Sequence, residues 1–532
     1  MEFSIYRQIL RKIFDHLSCS GLTTDHCRFN TSLDMISKRW KFILALLIMM
    51  SIINAYGQTF TFTTKISTLE DEMPICCLEL NNGDIVVSAR QGLWPPSNGT
   101  YSLLLIKLTS EGDTIKTSII SGSGGNCYIN TLILDSANQL FGIGSITINQ
   151  NETCIWLIKL DKDLNPLWEK RYNIGCVYLG YIQGLINSDQ DLIIYGDGYK
   201  EPTNDYDLFT LKTTLDGDSL SFNIYPDPGT ESSWAMTELG ASKLYYFLIS
   251  GKYVLNTNSW GQILQLDESL HITSIDMIPG NLFLYYNIIS DYNNLLLTGI
   301  KVIAQPPHSL NMLGIERIDT SYMIIHADTV GAMNPDSLSY PAYFKNIDTT
   351  QNNFIYYGGT FNQDNNYYFS LLDSWLELIK YDTLLNMQWQ KFYGGNMYYG
   401  LWGIKATSDG GCLLLGSTFN DQLQYNERDI IIIKVDSNGI VTGDHGHQEI
   451  QSHDAIVYPN PGTDYLIIES GPQISGATFT MTDMQGKSVF HTTLNQRSVR
   501  LSTNNQSPGV YLWSITYGNK IVETGKWVKE NN

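Results

Sequence analysis

The fold of this chain is decided by the stretch from Trp389 to Asp436, whose last turn runs on to Gly439. It reads WQKFYGG at 389–395, LWGIKATSDGGCLLLGSTF at 401–419 and DIIIIKVDSNG at 429–439. Asp, Asn and Gly tolerate the backbone angles of tight turns, whereas the apolar runs between them suit buried strands. The stretch therefore predicts successive β-strands joined by hairpins. The predicted strands are Met387–Tyr393, Leu401–Thr407, Cys412–Phe419 and Asp429–Asp436.

The same pattern recurs along the chain. A turn-rich tetrapeptide followed by an apolar run begins at seven places: Asn81, Ser136, Ser188, Ala241, Asp291, Thr350 and Ser408. A second anchor, typified by Ile-Lys-Val-Asp, follows each copy at 107, 159, 212, 265, 316, 380 and 434, in steps of 52, 53, 53, 51, 64 and 54 residues. A period of about 50 residues with several short strands per copy indicates propeller blades rather than a helical solenoid. The sequence predicts an all-β, seven-bladed β-propeller.

The two ends of the repeat region predict how the ring closes. The seventh copy stops near Val441 without a counterpart of Trp389–Gly395, whereas the region begins with an unpaired strand pattern at Thr59–Ile66. An exposed strand edge invites pairing with other chains. We therefore expect the first strand to complete the last blade.

Composition and charge exclude one class of partner. Aromatic residues make up 12%, with 33 Tyr, and charged residues make up 16%, which favours short strands over helices or disorder. The net charge is -20. Residues 1–57 carry seven basic and four acidic side chains, so the remainder has 26 against 49, or -23. Because such a chain repels phosphate backbones, we expect no nucleic-acid partner.

Residues 1–57 are predicted to be an upstream segment and an export signal. Three basic residues precede the apolar run Phe42–Ile53, and Ala55-Tyr56-Gly57 places small residues where a signal peptidase reads them. The run is shorter than the roughly 20 residues of a membrane span. We favour Met35 as the true start, with cleavage before Gln58 and no membrane span afterwards.

Cysteine and histidine give no metal signature. Six cysteines follow the signal, and none has zinc-site spacing: Cys76, Cys77, Cys127, Cys154, Cys176 and Cys412. Asp161–Asn165 alternates oxygen ligands but lacks the Gly and distal Glu of a calcium loop, so a solvated turn is the simpler interpretation. His445, His447 and His453 lie in a polar segment without fixed geometry. We predict no metal and no cofactor.

The composition shifts after His445. We assign residues 58–443 to the propeller, 444–454 to a linker and 455–532 to a second domain. Alternating strands in the last segment predict a small Ig-like antiparallel β-sandwich. Short motifs are spaced through it in order, and their residues are Tyr458, Pro459, Asn460, Pro461, Gly486, Lys487, Gly509, Tyr511, Lys526 and Lys529.

These motifs resemble the type A C-terminal sorting domain of type IX secretion. The resemblance implies export through the outer membrane by the type IX secretion machinery, removal of the domain, and either surface attachment or release. The repeat region is similar to the degenerate propeller repeats of large exported proteins from bacteria that use this system, through Trp-x-Lys-x-Tyr-Gly-Gly, Asp-Gly-Gly and Lys-x-Asp. That second resemblance implies a fold and not an activity.

The two faces of the predicted propeller differ. The one-to-two and three-to-four turns lie on one face and are tight, as in Ser408–Gly411. The two-to-three and four-to-one connections lie on the other, which we call the variable face because their lengths differ. We expect ligands to bind there. An enzyme acting on polysaccharide would need a carboxylate pair on that face, and the candidates are Glu201, Asp205, Asp207, Asp364 and Glu427.

Aromatic residues recur where each innermost strand begins on the variable face. From Ile75 in the first copy they are spaced by 53, 53, 53, 52, 58 and 58 residues, so they would ring the propeller axis. Aromatic faces stack on sugar rings, but the same residues would equally serve as wedges between blades. The candidate ligand residues are Tyr128, Tyr181, Trp234, Tyr286, Phe344 and Trp402.

Three functions fit these features. The first is a non-catalytic propeller, secreted or on the cell surface, that binds a polysaccharide or a protein. The second is a polysaccharide-active enzyme, although the chain has no recognisable catalytic motif. The third is a structural surface or adhesion component. The fold alone does not separate them, because propellers serve all three.

Overall fold

In a computed structural model of the chain, the described residues fall in a series of segments. These are 60–67, 70–92, 101–121, 125–149, 152–200, 205–225, 232–250, 261–278, 282–305, 308–331, 338–363, 373–419, 428–441, 455–458, 460–470, 476–496, 498–517 and 520–530. The predicted export signal and the predicted linker lie outside them.

The described residues before 442 form seven antiparallel sheets, which we number as blades 1 to 7 in chain order. Blade 1 contains β2 (Asp71–Glu79), β3 (Ile85–Gly92), β4 (Ser102–Leu108) and β5 (Thr114–Ile120). Blade 2 contains β6 (Cys127–Leu134), β7 (Leu140–Asn149), β8 (Glu152–Leu160) and β9 (Pro166–Tyr172). Blade 3 contains β10 (Tyr178–Leu179), β11 (Gln183–Ile186), β12 (Leu192–Lys200), β13 (Asp205–Thr213) and β14 (Ser219–Tyr225).

Blade 4 contains β15 (Ser232–Leu239), β16 (Leu244–Ser250), β17 (Gln262–Leu266) and β18 (Ile272–Met277), with a short 3₁₀ helix, Gly240–Ser242, after β15. Blade 5 contains β19 (Leu284–Asp291), β20 (Asn294–Gln305), β21 (His308–Ile318) and β22 (Ile324–Val330). Blade 6 contains β23 (Ser339–Pro341), β24 (Ile347–Thr349), β25 (Ile355–Phe361), β26 (Trp375–Tyr381) and β27 (Met387–Gly394). Blade 7 contains β28 (Tyr398–Ala406), β29 (Cys412–Phe419), β30 (Arg428–Val435) and β1 (Phe62–Ile66).

The core lies between neighbouring blades. Val86 and Leu105 of blade 1, for example, pack with Ile129 and Trp156 of blade 2 in one buried cluster. The second and third strands of the blades are therefore mostly buried on both faces, which explains the near-continuous hydrophobic runs such as Ile430–Ile433. The outermost strand alternates half-buried and exposed residues, as β5 and β9 do.

A repeated latch explains the Trp-x-Lys-x-Tyr motif. The Tyr172 hydroxyl on β9 of blade 2 donates to the carbonyl of Gly217 in the β13–β14 turn of blade 3, at 2.5 Å. The Tyr393 hydroxyl on β27 of blade 6 donates in the same way to Gly439 in the turn after β30, at 2.9 Å. The outer strand of one blade thus holds the three-to-four turn of the next.

We expect Gly439→Ala to destabilise the propeller. Gly439 has φ +71°, and an added Cβ would lie 2.7 Å from Cδ of Lys391 and 2.9 Å from the Trp389 ring. Left-handed strain and the clash together should cost about 1–3 kcal/mol of unfolding free energy. Gly175→Ala is the matched control, because Gly175 has φ +75° and nothing within 4 Å of an added Cβ. Chemical denaturation should give a lower free energy of unfolding for Gly439→Ala than for Gly175→Ala. Equal losses of unfolding free energy in the two variants would contradict the latch.

Strand β1 completes blade 7 as the sequence predicts. It pairs antiparallel with β30, with Phe62 opposite Lys434 and Ile66 opposite Ile430. The Thr64 hydroxyl donates to the carbonyl of Gly112, in the β4–β5 turn of blade 1, at 2.6 Å. The Thr64–Gly112 hydrogen bond therefore holds β1 to the three-to-four turn of blade 1. The tyrosine hydroxyls of β9 and β27 hold the same turn of the next blade in the same way.

A second domain follows the propeller, with two facing groups of strands around one buried cluster. One sheet has the order β31 (Ala455–Tyr458), β32 (Tyr465–Ser470), β35 (Ser498–Ser502). The other has the order β34 (Ser488–Thr493), β33 (Thr478–Asp483), β36 (Gly509–Tyr517), β37 (Lys520–Lys529). Phe479, Trp513 and Trp527 are buried at its centre.

The predicted all-β, propeller-like fold is confirmed. The four strands predicted in the deciding stretch occur as β27 to β30, with ends within three residues of the predicted ones. The first strand begins at Phe62 rather than at Thr59. The seven described sheets agree with the predicted number, and one closed ring of seven blades is our interpretation of them. The domain limits stay predictions.

Candidate functional site

The innermost strands are interrupted at the same level in every blade. A β-bulge shifts the register at Ile75, Asn130, Trp234, Tyr286 and Trp402, in blades 1, 2, 4, 5 and 7. In blades 3 and 6 the first strand is broken instead, between β10 and β11 and between β23 and β24. A bulge turns one residue out of the ladder and bends the strand. Ile75, Tyr181, Phe344 and Trp402 of blades 1, 3, 6 and 7 pack in one cluster, and Trp234 and Tyr286 of blades 4 and 5 pack in a second.

Five of the six predicted aromatic residues form a continuous run of ring contacts. Ring centroids lie 6.0 Å apart for Trp402–Phe344, 6.3 Å for Phe344–Tyr181, 5.6 Å for Tyr181–Trp234 and 4.9 Å for Trp234–Tyr286. Tyr128, the sixth, packs with Trp402 and Phe344 in the same buried cluster. The aromatic residues selected by their spacing in the sequence therefore pack together in the structure.

Burial gives most of these residues a packing role. Trp402, Tyr128, Tyr286 and Phe344 are 5%, 6%, 8% and 8% exposed. The indole N–H of Trp402 donates to Ser417 Oγ at 2.7 Å, within the protein. Contact of these six residues with a ligand stays a prediction.

A cavity of about 460 Å³ opens beside this aromatic cluster. Tyr128, Tyr181, Phe344 and Trp402 line it, together with polar residues that sequence reasoning did not select. Its lining comes from strand ends next to the two-to-three and four-to-one connections, so it lies on the variable face. We call it the variable-face cavity. Its volume falls within the range of about 300–1,000 Å³ that ligand pockets span.

Arg90, near the end of β3, is the first of these polar residues. Its guanidinium carbon lies 3.7 Å from the centroid of the Tyr128 ring. Its Nε is buried and has no hydrogen-bond partner among the described residues. No carboxylate within the described segments forms an ion pair with it. Arg90 thus places a positive charge at the cavity wall. No described carboxylate neutralises this charge.

At the β-bulge of blade 2, Asn130 is the residue that leaves the hydrogen-bonded ladder. The sequence spacing selected Tyr128 for this blade, but the register shift falls two residues later. Asn130 is 6% exposed, and its Oδ1 has no partner among the described residues. A buried acceptor left unpaired costs free energy. It is therefore suited to accept a hydrogen bond from a bound molecule.

Arg428, the first residue of β30, is neutralised by Asp71 on β2. Arg428 Nε and Nη2 donate to the two Asp71 carboxylate oxygens, at 2.9 and 2.5 Å, and the Arg428 backbone N–H donates to Oδ1 at 2.9 Å. Both side chains are at most 1% exposed. The pair joins blade 7 to blade 1 at the wall of the cavity.

Asp197, on β12, is the carboxylate among the described residues of the cavity lining. Its Oδ1 accepts hydrogen bonds from the Ser233 hydroxyl at 2.7 Å and from the Ser233 backbone N–H at 3.0 Å. Burial raises the pKa of Asp197, and the bonds from Ser233 partly offset that rise. Sequence reasoning missed this residue because it lies inside a strand and not in a loop.

Three tyrosines form the described rim of the cavity: Tyr101, Tyr178 and Tyr206. Tyr178 is 51% exposed, and its ring meets Tyr206 edge to face with centroids 6.4 Å apart. The exposed Tyr178 ring thus lies at the cavity outside the buried cluster.

The two described carboxylates among those predicted on the variable face, Asp205 and Asp207, do not form a catalytic pair in the cavity. Asp207 forms an ion pair with Lys200 at 3.1 Å, and Asp205 Oδ1 accepts the backbone N–H of Tyr206 at 2.9 Å. Neither is among the residues that line the cavity. The other three candidates, Glu201, Asp364 and Glu427, lie outside the described residues.

The calcium-like sequence at Asp161–Asn165 forms a turn. Asp161 Oδ1 accepts the backbone N–H groups of Asp163 and Asn165, both at 2.8 Å. No group of three or more metal-ligating side chains occurs within the described segments. The three linker histidines lie outside them, and the six cysteines after the signal are all free thiols.

The two ends of the C-terminal domain are joined by their motif residues. Asn460 Nδ2 donates to the carbonyl of Lys526 at 2.7 Å, and Asn460 Oδ1 accepts the Val528 backbone N–H at 2.9 Å. The Lys529 ammonium donates to the carbonyl of Thr463. The first and last motifs thus form one unit.

The middle motifs contribute to local structure. The Tyr511 hydroxyl donates to the carbonyl of Ser507 at 2.7 Å, and Gly486 has φ +81° in the β33–β34 turn.

Comparison with known families decides what this domain is. Residues 456–530 match the secretion system C-terminal sorting domain. The chain carries a type IX secretion sorting domain. The sorting domain confirms the resemblance seen in the sequence, and it means that the chain is exported and is either secreted or held at the cell surface. It also implies contact with the type IX secretion machinery. The sorting roles of individual residues stay predictions.

Comparison with curated proteins found no match to this chain. Among solved structures, a Pyrococcus horikoshii acylaminoacyl peptidase aligns with 75% of this chain and 58% of its own, at 10% identity and a TM-score of 0.42. A polysaccharide lyase of family PL25, an ulvan lyase, covers 70% of this chain and 95% of its own, at 10% identity and a TM-score of 0.43. PorZ of Porphyromonas gingivalis, a surface component of type IX secretion, covers 86% and 81%, at 11% identity and a TM-score of 0.21. At these values the likenesses carry no functional argument.

Within the described segments, no helix has the length and apolar character needed to cross a membrane.

Proposed function

We propose that this protein is a secreted or cell-surface propeller that binds a sugar polymer through the variable-face cavity, without chemical catalysis. The observation that carries the proposal is the cavity itself, where aromatic walls from several blades meet unpaired polar groups. Aromatic faces give stacking area and a few polar groups give orientation, which is how compact polar ligands are recognised. Export by the sorting domain would bring the cavity into contact with extracellular polymers.

A sugar is favoured over a protein ligand by the shape of the surface. Protein–protein interfaces of ordinary size bury about 800 Å² on each partner and are comparatively flat. The variable-face cavity is concave and is rimmed by Tyr178 and Tyr206, which suits a chain of rings passing over it. A protein ligand and a purely structural surface role remain outcomes of the test below.

The enzyme alternative requires a second carboxylate. A glycosidase acts with two carboxyl groups about 5–10 Å apart. Asp197 alone supplies one among the described residues of the lining, and Ser233 already occupies its Oδ1. The described lining therefore gives that alternative no pair to act with.

The proposal is tested by screening the purified protein on a glycan array together with a reducing-sugar release assay. Retention of at least one polymer without release supports it. Release of reducing sugar would favour the enzyme, and silence in both assays would favour the structural role.

A rim variant tests whether the cavity is the site. We expect the double variant Tyr178→Ala/Tyr206→Ala to weaken binding about 10-fold or more, since each aromatic ring contact is worth about 0.5–1.5 kcal/mol. Tyr292→Ala is the matched control, because Tyr292 is 71% exposed and lies in the β19–β20 turn on the opposite face. Both variants should keep the wild-type unfolding midpoint. Equal loss of binding in the two variants would contradict the assignment.

A further inference from the structure

The charged groups around the variable-face cavity are unequally compensated. Arg428 is neutralised by Asp71 through two side-chain hydrogen bonds. Asp197 is buried and is satisfied at Oδ1 by Ser233. Arg90 has no ion-pair partner among the described residues. Its guanidinium lies over the face of the Tyr128 ring in a cation–π contact. The described wall therefore presents one free cation.

An arginine at a cavity wall without a described ion-pair partner has a specific ligand preference. Its planar fork binds a carboxylate or a sulfate-like group through two parallel, charge-assisted hydrogen bonds, which are about twice as strong as neutral ones. The Tyr128 ring fixes the guanidinium plane, which reduces the entropy lost on binding. An anion bound here is therefore attracted by the positive charge of Arg90 and meets hydrogen-bond donors that are already in place.

Asn130 adds a second requirement. Its Oδ1 is an acceptor in a 6% exposed side chain without a described partner, and it lines the same cavity as Arg90. A hydroxyl group would satisfy it by donating a hydrogen bond. A molecule that carries an anionic group and hydroxyl groups on a ring meets both demands and can also stack on the aromatic wall.

We propose that the variable-face cavity selects an acidic sugar, whose carboxylate or sulfate is held by Arg90 while a ring hydroxyl donates to Asn130. This inference rests on the proposed function and narrows its ligand class. The chain as a whole is strongly acidic, at -20, so its general field repels such polymers. Selection must therefore come from the local fork of Arg90.

The test is a calorimetric titration of the purified protein with matched oligosaccharides. The probes are an oligogalacturonate, its fully methyl-esterified neutral form, and a sulfated galactan oligosaccharide of equal length. We expect one of the two anionic probes to bind about 10- to 100-fold more tightly than the neutral ester, as a charge-assisted bidentate contact predicts. The tighter of the two is then the preferred anionic probe.

Variants of Arg90 separate recognition from structure. Arg90→Gln should lower the affinity for the preferred anionic probe to that of the neutral ester, and Arg90→Lys should fall between them because it keeps charge but loses the fork. Asn130→Leu should weaken acidic and neutral probes alike. Arg171→Gln is the matched control, since Arg171 is an exposed arginine of the outer strand β9, paired with Glu169. Unfolding midpoints are measured for all four.

The outcomes are distinguishable. If neither anionic probe binds more tightly than the neutral ester, or if folded Arg90→Gln keeps its affinity for the preferred anionic probe, the acidic-sugar inference is overturned and the proposed function stands. Tighter binding of a Glu-rich peptide than of either anionic sugar also overturns it. Failure to bind any sugar overturns the proposed function and this inference together.

Discussion

Deleting residues 58–67 is expected to abolish the single cooperative unfolding transition of the propeller. The deletion removes β1, so the five-residue ladder from Phe62 to Ile66 is lost and β30 becomes an exposed edge. It also removes the Phe62 side chain, which is 7% exposed and packs with residues of blades 1 and 7. The Gly112 turn of blade 1 would lose its bond to Thr64 as well. We expect a lower unfolding midpoint and self-association through the free edge.

A single substitution tests the same closure more gently. Phe62→Ala should cost about 3–5 kcal/mol, the usual range for truncating a buried aromatic side chain. Lys65→Ala is the control on the same strand, because its ion pair with Asp429 involves a 48% exposed lysine and should be worth no more than about 1 kcal/mol. Thermal and denaturant unfolding of the deletion and of both variants measures the effect. A midpoint unchanged by the deletion would show that β1 does not close the ring.

Asp71→Ala is expected to produce the second large loss of stability, about 3–5 kcal/mol. Arg428 is at most 1% exposed, so removing Asp71 leaves a guanidinium charge buried without its described partner. The Arg428 backbone N–H loses its acceptor in the same change. Because the pair links blade 7 to blade 1, the loss should weaken closure and not one blade alone.

The paired replacement Asp71→Leu/Arg428→Met distinguishes charge burial from shape. Replacing both partners by apolar residues of similar volume is often neutral or stabilising. The double variant should therefore recover most of the stability that Asp71→Ala loses in chemical denaturation. If the single and double variants are equally unstable, packing and not the ion pair holds the two blades together.

Much of this architecture follows from local sequence signals. The turn tetrapeptides and apolar runs predicted the strands of blade 7 to within three residues, because each turn and its strand are contiguous in the chain. The unpaired pattern at Thr59–Ile66 predicted the closing strand because the seventh copy lacks a fourth strand of its own. The Trp-x-Lys-x-Tyr motif was visible as a repeat, but its purpose became clear only from the Gly217 and Gly439 turns that it holds.

The site was predicted less completely, for physical reasons. A fixed spacing of 53 residues selected Tyr128 in blade 2, whereas the β-bulge there turns out Asn130. A bulge adds one residue to a strand without any residue type that marks it. The Asp71–Arg428 pair joins positions 357 residues apart, so no local pattern announces it. Arg90 resembles any strand arginine until the absence of a described ion-pair partner is known.

The central claim is that the variable-face cavity is the place where a sugar polymer binds. Hydroxyl-radical footprinting of the purified protein, with and without the polymer that gives the strongest array signal, tests it most directly. We predict that oxidation of Tyr178 and Tyr206 falls when the polymer is bound, while oxidation of Tyr292, which is 71% exposed on the opposite face, stays unchanged. Protection of Tyr292 with none at Tyr178 and Tyr206 would contradict the account.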